Sequence, residues 1–167
     1  MQPDATDFQA ELLASLPRLR RFALSLTRHP SEADDLVQMT CERAITNAPK
    51  WNPEQPLLPW LYTMGRNLWT SEMRKRQVRT GEGTVPAEEA AELVSHAGGE
   101  ENTRAGQVMA QIMALPEGLS SVLLLVSVEG HSYAEAAAIL DIPAGTVMSR
   151  MSAARARLRA ALAGEAA

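Results

Sequence analysis

The sequence has little of what demanding chemistry requires. It carries one cysteine, Cys41, in 167 residues, so no disulfide can form within the chain. Its three histidines, His29, His96 and His131, sit in unrelated segments, and no H-x-x-x-H or C-x-x-C pairing exists. A metal centre is therefore not expected. There is no glycine-rich phosphate loop, and no cofactor is expected. No apolar run is long enough to cross a membrane. The N-terminal MQPDATDFQAELL is acidic and lacks the pattern of a secretory leader. These absences point to a soluble cytoplasmic protein that is not an enzyme. Cys41 lies beside apolar residues on a predicted helix and reads as a small buried hydrophobe rather than a nucleophile.

Aromatic residues make up only 4% of the chain, and long alternating β-branched runs are missing. What is abundant is Ala, Leu, Glu and Arg, all good helix formers, with 46% hydrophobic residues overall. The expected fold is all-α, with enough apolar material for real cores. The net charge of −4 hides a segregation. RNLWTSEMRKRQVR holds Arg66, Arg74, Lys75, Arg76 and Arg79 against one acid, Glu72, and PAGTVMSRMSAARARLR holds Arg150, Arg155, Arg157 and Arg159 against none. Between them lie Glu82, Glu88, Glu89, Glu92, Glu100 and Glu101 in a Gly- and Ala-rich stretch without a base. That pattern predicts two small helical domains, residues 8–80 and 103–163, joined by a flexible acidic linker, 81–102.

In the first domain, Leu12, Leu16, Leu19, Phe22, Ala23 and Leu26 recur at helical spacing, with Pro17 expected at a kink or a helix start. A second helix follows, with Ser31 as its expected N-cap and Glu32, Asp34 and Asp35 near its positive end. Leu36, Met39, Cys41 and Ala44 are expected to face inward. PKWNPEQPLLP has four prolines and reads as a loop. In the third helix Trp60, Leu61, Met64 and Leu68 fall on one face, with Arg66, Asn67 and Thr70 turned away. Here aromatics and cations interleave, from Trp60 and Tyr62 through Trp69 to Arg76. Aromatics that stack on bases and cations that follow the backbone suit melted or single-stranded nucleic acid. Trp60 reads as core on this face, and Trp69 is open to either role.

In the second domain a helix ends at Pro116, a very apolar helix ends at Gly130, and Ser132 with Glu135 forms an S-x-x-E capping box. A short helix, the IPAG turn and a basic last helix make a helix-turn-helix pattern. Ala136 and Ala137 let the helices approach, and Ile139, Leu140 and Ile142 wedge between them. Val147, Met151, Ala154 and Leu158 share an inward stripe, while Met148, Ser149, Ser152, Arg155 and Arg159 face out and Arg150 and Arg157 lie on the other flank. Short side chains for base edges beside arginines for phosphates are what a recognition helix in a major groove needs.

Taken in order, SEADDLVQMTCERA, LPWLYTMGRNLWTSEMRKR and LPEGLSSVLLLVSVEGHSYAEAAAILDIPAGTVMSRMSAARARLR resemble the extracytoplasmic-function (ECF) sigma factors of bacterial RNA polymerase. LPRLRRFALSLTRHPSEADDLVQ is similar to the subgroup serving general stress responses in alphaproteobacteria. The resemblance implies a promoter-recognition subunit whose partners are core RNA polymerase, promoter DNA and an anti-sigma protein. It implies polymerase docking through Asp34, Asp35, Leu36 and Gln38. It implies a −10 site of Arg66, Asn67, Trp69, Thr70, Arg74, Lys75 and Arg76, in which a base flips out near Asn67. It implies a −35 site of Thr146, Met148, Ser149, Arg150, Ser152, Arg155 and Arg159. Two other readings use the same residues: a helix-turn-helix regulator of another class, and a sigma-like decoy that titrates an anti-sigma protein.

One departure from the family pattern is Met148, where a lysine is usual. Met148→Lys is expected to raise DNA affinity and steepen its salt dependence by about one phosphate contact, measured by titration at several salt concentrations. An unchanged slope would show that this position does not face a phosphate.

Overall fold

The computed structural model describes residues 5–80 and 103–166; the expected linker, 81–102, lies outside them. Among the described residues there are helices and no strand, in agreement with the expected all-α class. The first helix, α1 (Ala5–Thr27), buries Phe8, Leu12, Ser15, Leu19, Phe22 and Leu26, alternating steps of four and three that keep one stripe facing inward. Leu16 sits half-buried beside that stripe, and Ser15 closes its hydroxyl on the Glu11 carbonyl at 2.7 Å. Pro17 neither starts nor ends α1, because the helix runs through it. The carbonyl it deprives of a donor belongs to Leu13, which is exposed, so water can serve it.

Helix α2 (Pro30–Thr46) does not start as expected. Its N-cap is His29, with Pro30 at the first helical position; Ser31 is already inside the helix and shares a 2.8 Å bond with His29 Nδ1. Proline suits that position because its missing N–H would have had no helical partner. Helix α3 (Leu57–Thr80) buries Leu61, Tyr62 and Trp69 against α1 and α2 and completes a three-helix bundle. Each fully buried Leu or Phe here contributes roughly 1.5–3 kcal/mol. The proline-rich segment is a loop with a single 3-10 turn at Ala48–Lys50, and Pro59 falls inside the start of α3.

The second unit contains α4 (Arg104–Ala114), α5 (Glu117–Leu123), α6 (Tyr133–Leu140) and α7 (Ala144–Ala166). Thr103 caps α4 by accepting the Gly106 N–H at 3.0 Å. Helix α5 widens at its end into a π turn, Leu124–Val128, where Glu129 N donates to Leu124 O at 2.9 Å. Gly130, with φ of +77°, then breaks the chain direction in a conformation that costs glycine little. Both bonds of the Ser132–Glu135 capping box form, at 3.1 and 3.2 Å. Val147, Met151 and Ala154 of α7 are buried, as the wheel predicts.

The two units are packed together, α1 against α5 and α3 against α6. Tyr62 lies wholly buried at this seam, its ring 4.6 Å from Phe22 and edge-on to His131 at 6.0 Å. Burial, and then the charge of Glu129, push its phenol well above the usual tyrosine range. Ser132→Ala is expected to cost about 1 kcal/mol in urea unfolding. The cap also has a pH signature. Hydrogen bonds from His131 and then from the Ser132 N–H hold the Glu135 carboxyl below its usual range. Its support is therefore present at neutral pH and fades in acid as pH falls through that lowered value. An acid unfolding midpoint unchanged in Glu135→Gln would contradict this.

Candidate nucleic-acid interface

The residues expected to handle a −10 element separate into three environments along α3. Arg66 and Asn67 stand together at mid-helix, with Arg66 donating to Asn67 Oδ1 at 3.2 Å. Asn67 forms one wall of an open cleft of about 330 Å³ with Arg43, Asn47, Lys50, Trp60, Thr63 and Met64. The cleft has a half-buried aromatic floor in Trp60, which also meets Phe8 edge-on, and two cations at its rim. Arg43 reaches it from the last turn of α2, and Asn47 and Lys50 from the turn that follows, so spacing along α3 alone could not have found them. Thr70 turns its hydroxyl back onto the Arg66 carbonyl at 2.9 Å.

Trp69 belongs to the second environment. It is 8% exposed, on the core side of α3, and is no open platform for stacking. Arg76 covers it, its guanidinium 5.3 Å from the ring centroid, and reaches Glu32 at 2.5 Å and Glu72 at 3.5 Å. The hydrogen bond to Glu32 is the main cause of the raised Arg76 pKa. Arg76 therefore ties α3 to α2, unlike its neighbours. Arg74 and Lys75 form the third environment, both exposed to solvent.

On α2, Asp34 and Asp35 are exposed, and Asp34 accepts from Arg20 at 2.7 Å. Gln38 is exposed as well. Leu36 is buried and faces the core, and the apolar residue presented beside these acids is Met39, at 38% exposure. Met39 was expected inside; the buried line of α2 runs through Ala33, Leu36, Thr40 and Ala44 and passes it by. Its exposure, with Asp35 in the same shallow groove, is the signal that spacing missed. Cys41 is half-buried, and burial pushes its thiol pKa up, consistent with an inert hydrophobe.

On α7, Met148, Ser149, Ser152, Arg155 and Arg159 are exposed along one face, Met148 at 58%. Thr146 is half-buried at the helix start, where its carbonyl accepts from Ser149 Oγ at 3.1 Å. Arg150 points elsewhere. Its guanidinium lies against Gly118 of α5, where an added Cβ would sit 3.2 Å from it. The turn before α7 passes through Asp141, whose φ of 53° places it in the left-handed region that Asp tolerates better than most residues. Among the described residues no cluster of His, Cys, Asp and Glu is placed to hold a metal.

Residues 12–79 match the Sigma-70 region 2 family, and residues 105–158 match the Sigma-70 region 4 family. The ECF RNA polymerase sigma factor EcfG of Rhodopseudomonas palustris is 37% identical over 162 residues, covering 96% of this chain and 87% of its own length. The ECF RNA polymerase sigma factor SigC of Mycobacterium tuberculosis is 35% identical, covering 74% of this chain and 66% of its own. The sigma factor RpoE of Bartonella quintana, solved in complex with the anti-sigma factor NepR, has a TM-score of 0.75 at 32% identity, covering 95% of this chain and 98% of that one. CnrH, solved with the cytosolic domain of CnrY, shares the fold at 21% identity, with a TM-score of 0.57, covering 97% of this chain and 91% of that one.

The different settings of the α3 cations separate by mutation. Arg76→Ala is expected to cost about 1 kcal/mol of stability through its lost pairing and its contact with Trp69. Arg74→Ala and Lys75→Ala should stay within about 0.5 kcal/mol of the parent. Chemical denaturation reads all three, and equal costs would show that Arg76 holds no special place.

Proposed function

This chain belongs to the ECF sigma factors, and from that premise we propose how its residues divide promoter recognition. The cleft walled by Asn67 receives an unstacked −10 base, with Trp60 beneath it and Arg43 and Lys50 close to the phosphates. Arg66, Thr70, Arg74 and Lys75 continue the contact along the strand. The observation that carries this reading is the coincidence of an amide, an aromatic floor and rim cations in one open cleft on the region 2 helix. Amide hydrogen bonding, stacking and phosphate attraction are the three interactions a flipped base needs.

Exposed Met148, Ser149, Ser152, Arg155 and Arg159 of α7 read the −35 duplex. Arg150, seated on Gly118, steadies α7 on α5 and reaches DNA only by leaving that seat. Asp34, Asp35, Gln38 and Met39 form the face that meets core polymerase: an exposed apolar residue ringed by acids and an amide is suited to a basic partner surface. The likeness to RpoE, solved with NepR, supports control by an anti-sigma protein. The −10 unit is assigned to residues 8–80 and the −35 unit to 103–163, a division supported by the two family matches at 12–79 and 105–158. The chain acts in the cytoplasm and contributes no bond-making step of its own.

Added to core RNA polymerase and fragmented DNA of its host, the chain is expected to start transcripts whose upstream sequences share −35 and −10 elements. Asn67→Ala should reduce open-complex formation about ten-fold or more, the worth of one held base, with core binding intact. Failure of the parent chain to bind core polymerase would overturn the reading.

A further inference from the structure

Among the described residues of α7, Met148 is the large apolar side chain turned to solvent, at 58% exposure. It stands in a stretch without exposed charge. From Ala144 to Ala154 the one ionised side chain is Arg150, which is half-buried against Gly118, and the exposed cations begin at Arg155. The buried stripe of Val147, Met151 and Ala154 fixes how α7 is rotated, so Met148 and Ser149 are held outward. The start of the helix is open as well. A Cβ added at Gly145 would meet nothing within 4 Å, which leaves room for a groove wall to come close.

A thioether has nothing to offer a phosphate. Its flexible, polarizable chain gains by contact with apolar surface. On the major-groove edges of duplex DNA, that surface is the C5 methyl of thymine. Ser149 is limited in a complementary way. Its hydroxyl donates to the Thr146 carbonyl at 3.1 Å, so its oxygen is left to accept. The donors on major-groove edges are the N6 amine of adenine and the N4 amine of cytosine. An A·T pair carries an amine and a methyl on one edge, whereas a G·C pair carries an amine without the methyl. Two consecutive exposed residues, one apolar and one accepting, match the first pair and not the second.

We propose that Met148 and Ser149 together select an A·T pair in the −35 duplex, Met148 packing on the thymine methyl and Ser149 accepting from the adenine N6 amine. This inference rests on the −35 reading of α7. The two residues act without charge, so they supply selectivity, while Arg155 and Arg159 further along the helix supply attraction to phosphates. A lysine at position 148 would reach past the base edge to the backbone, so Met148→Lys exchanges selectivity for attraction.

The test uses holoenzyme assembled from the full chain and core RNA polymerase. The probe is a duplex promoter drawn from the host fragments that this holoenzyme transcribes, with each −35 thymine of either strand replaced in turn by deoxyuridine, which removes only the methyl. At one position the parent should bind the uracil duplex about four-fold more weakly, the worth of one buried methyl. Met148→Ala should bind both duplexes alike, and Met148→Lys should also lose the preference while its overall affinity rises. Replacing the adenine of that pair by unsubstituted purine, which removes the amine, should weaken the parent about five-fold and leave Ser149→Ala unaffected. Assembly with core polymerase checks that each variant is folded. A parent indifferent to uracil at every −35 thymine would overturn the proposal, and so would a preference that persists in Met148→Ala. Failure of the −35 reading itself would show separately, as unchanged binding when the whole −35 element is scrambled.

Discussion

A carboxylate leaves water only where cations replace its hydration, and Glu129 makes the arrangement of the whole molecule depend on that condition. Its cations come from α1, more than a hundred positions earlier in the chain, so compensating the charge of one side chain brings two helical units together. Apolar packing alone would hold them less selectively, because burial rewards area without direction. The ion pair sets register as well. With Arg18 on Glu129, Tyr62 meets His131 and Asp141 meets Arg66, so the position of the −35 reader follows from a contact far from its DNA face.

The π turn makes that contact available. Running from α5 into Leu124–Val128, the backbone closes hydrogen bonds that span one more residue than those of an α-helix, which rotates everything after it. Val122, Leu123, Leu124 and Leu125 stay in the core, Val128 emerges, and Glu129 swings to the seam. Hydrophobic spacing could not have shown this. A run as apolar as SVLLLVSV has no polar face from which to read a period, and a π turn has no residue signature comparable to glycine at a left-handed corner. The capping box and Gly130 were legible because each is a local rule, met by residues a few positions apart. The long α1 stripe and the inward stripe of α7 were legible because amphipathic period is a property of one helix.

What the sequence concealed depends on neighbours. Met39 has the hydrophobicity of a core residue, yet it falls on the outer side of α2 because the line through Ala33, Leu36, Thr40 and Ala44 is enough to cover α3 and α1. Leu36 is the converse: the family pattern places it in a docking motif, and the structure turns it inward beneath that face. Trp69 and Arg76 looked like a stacking ring and a phosphate contact. Packed together, the ring closes the bundle and the guanidinium closes the ring, held by Glu32 from another helix. Ser31 lost the cap to His29 because Pro30 is better suited to the first helical position than to the residue before it. In each case residue type was read correctly, and the partner decided the role.

The segregated charge then acquires a structural logic that net charge hides. The cations of this chain fall into those committed to its own acids and those left facing solvent. Arg18, Arg21 and Arg76 hold helices or units together, whereas Arg74, Lys75, Arg155 and Arg159 project outward. Arg66 stands between the classes, paired with Asp141 across the seam yet placed beside Asn67 at the cleft. A residue with two available partners of the same charge type is where folding and binding compete directly, since gaining one partner requires giving up the other. An exposed acid such as Asp141 is well suited to that competition. Water screens its pairing, so a phosphate backbone, bringing several charges at once and releasing counterions as it binds, outweighs a single carboxylate. The acidic balance of the chain is thus no obstacle to nucleic-acid binding, because Arg74, Lys75, Arg155 and Arg159 keep their charges on the solvent side.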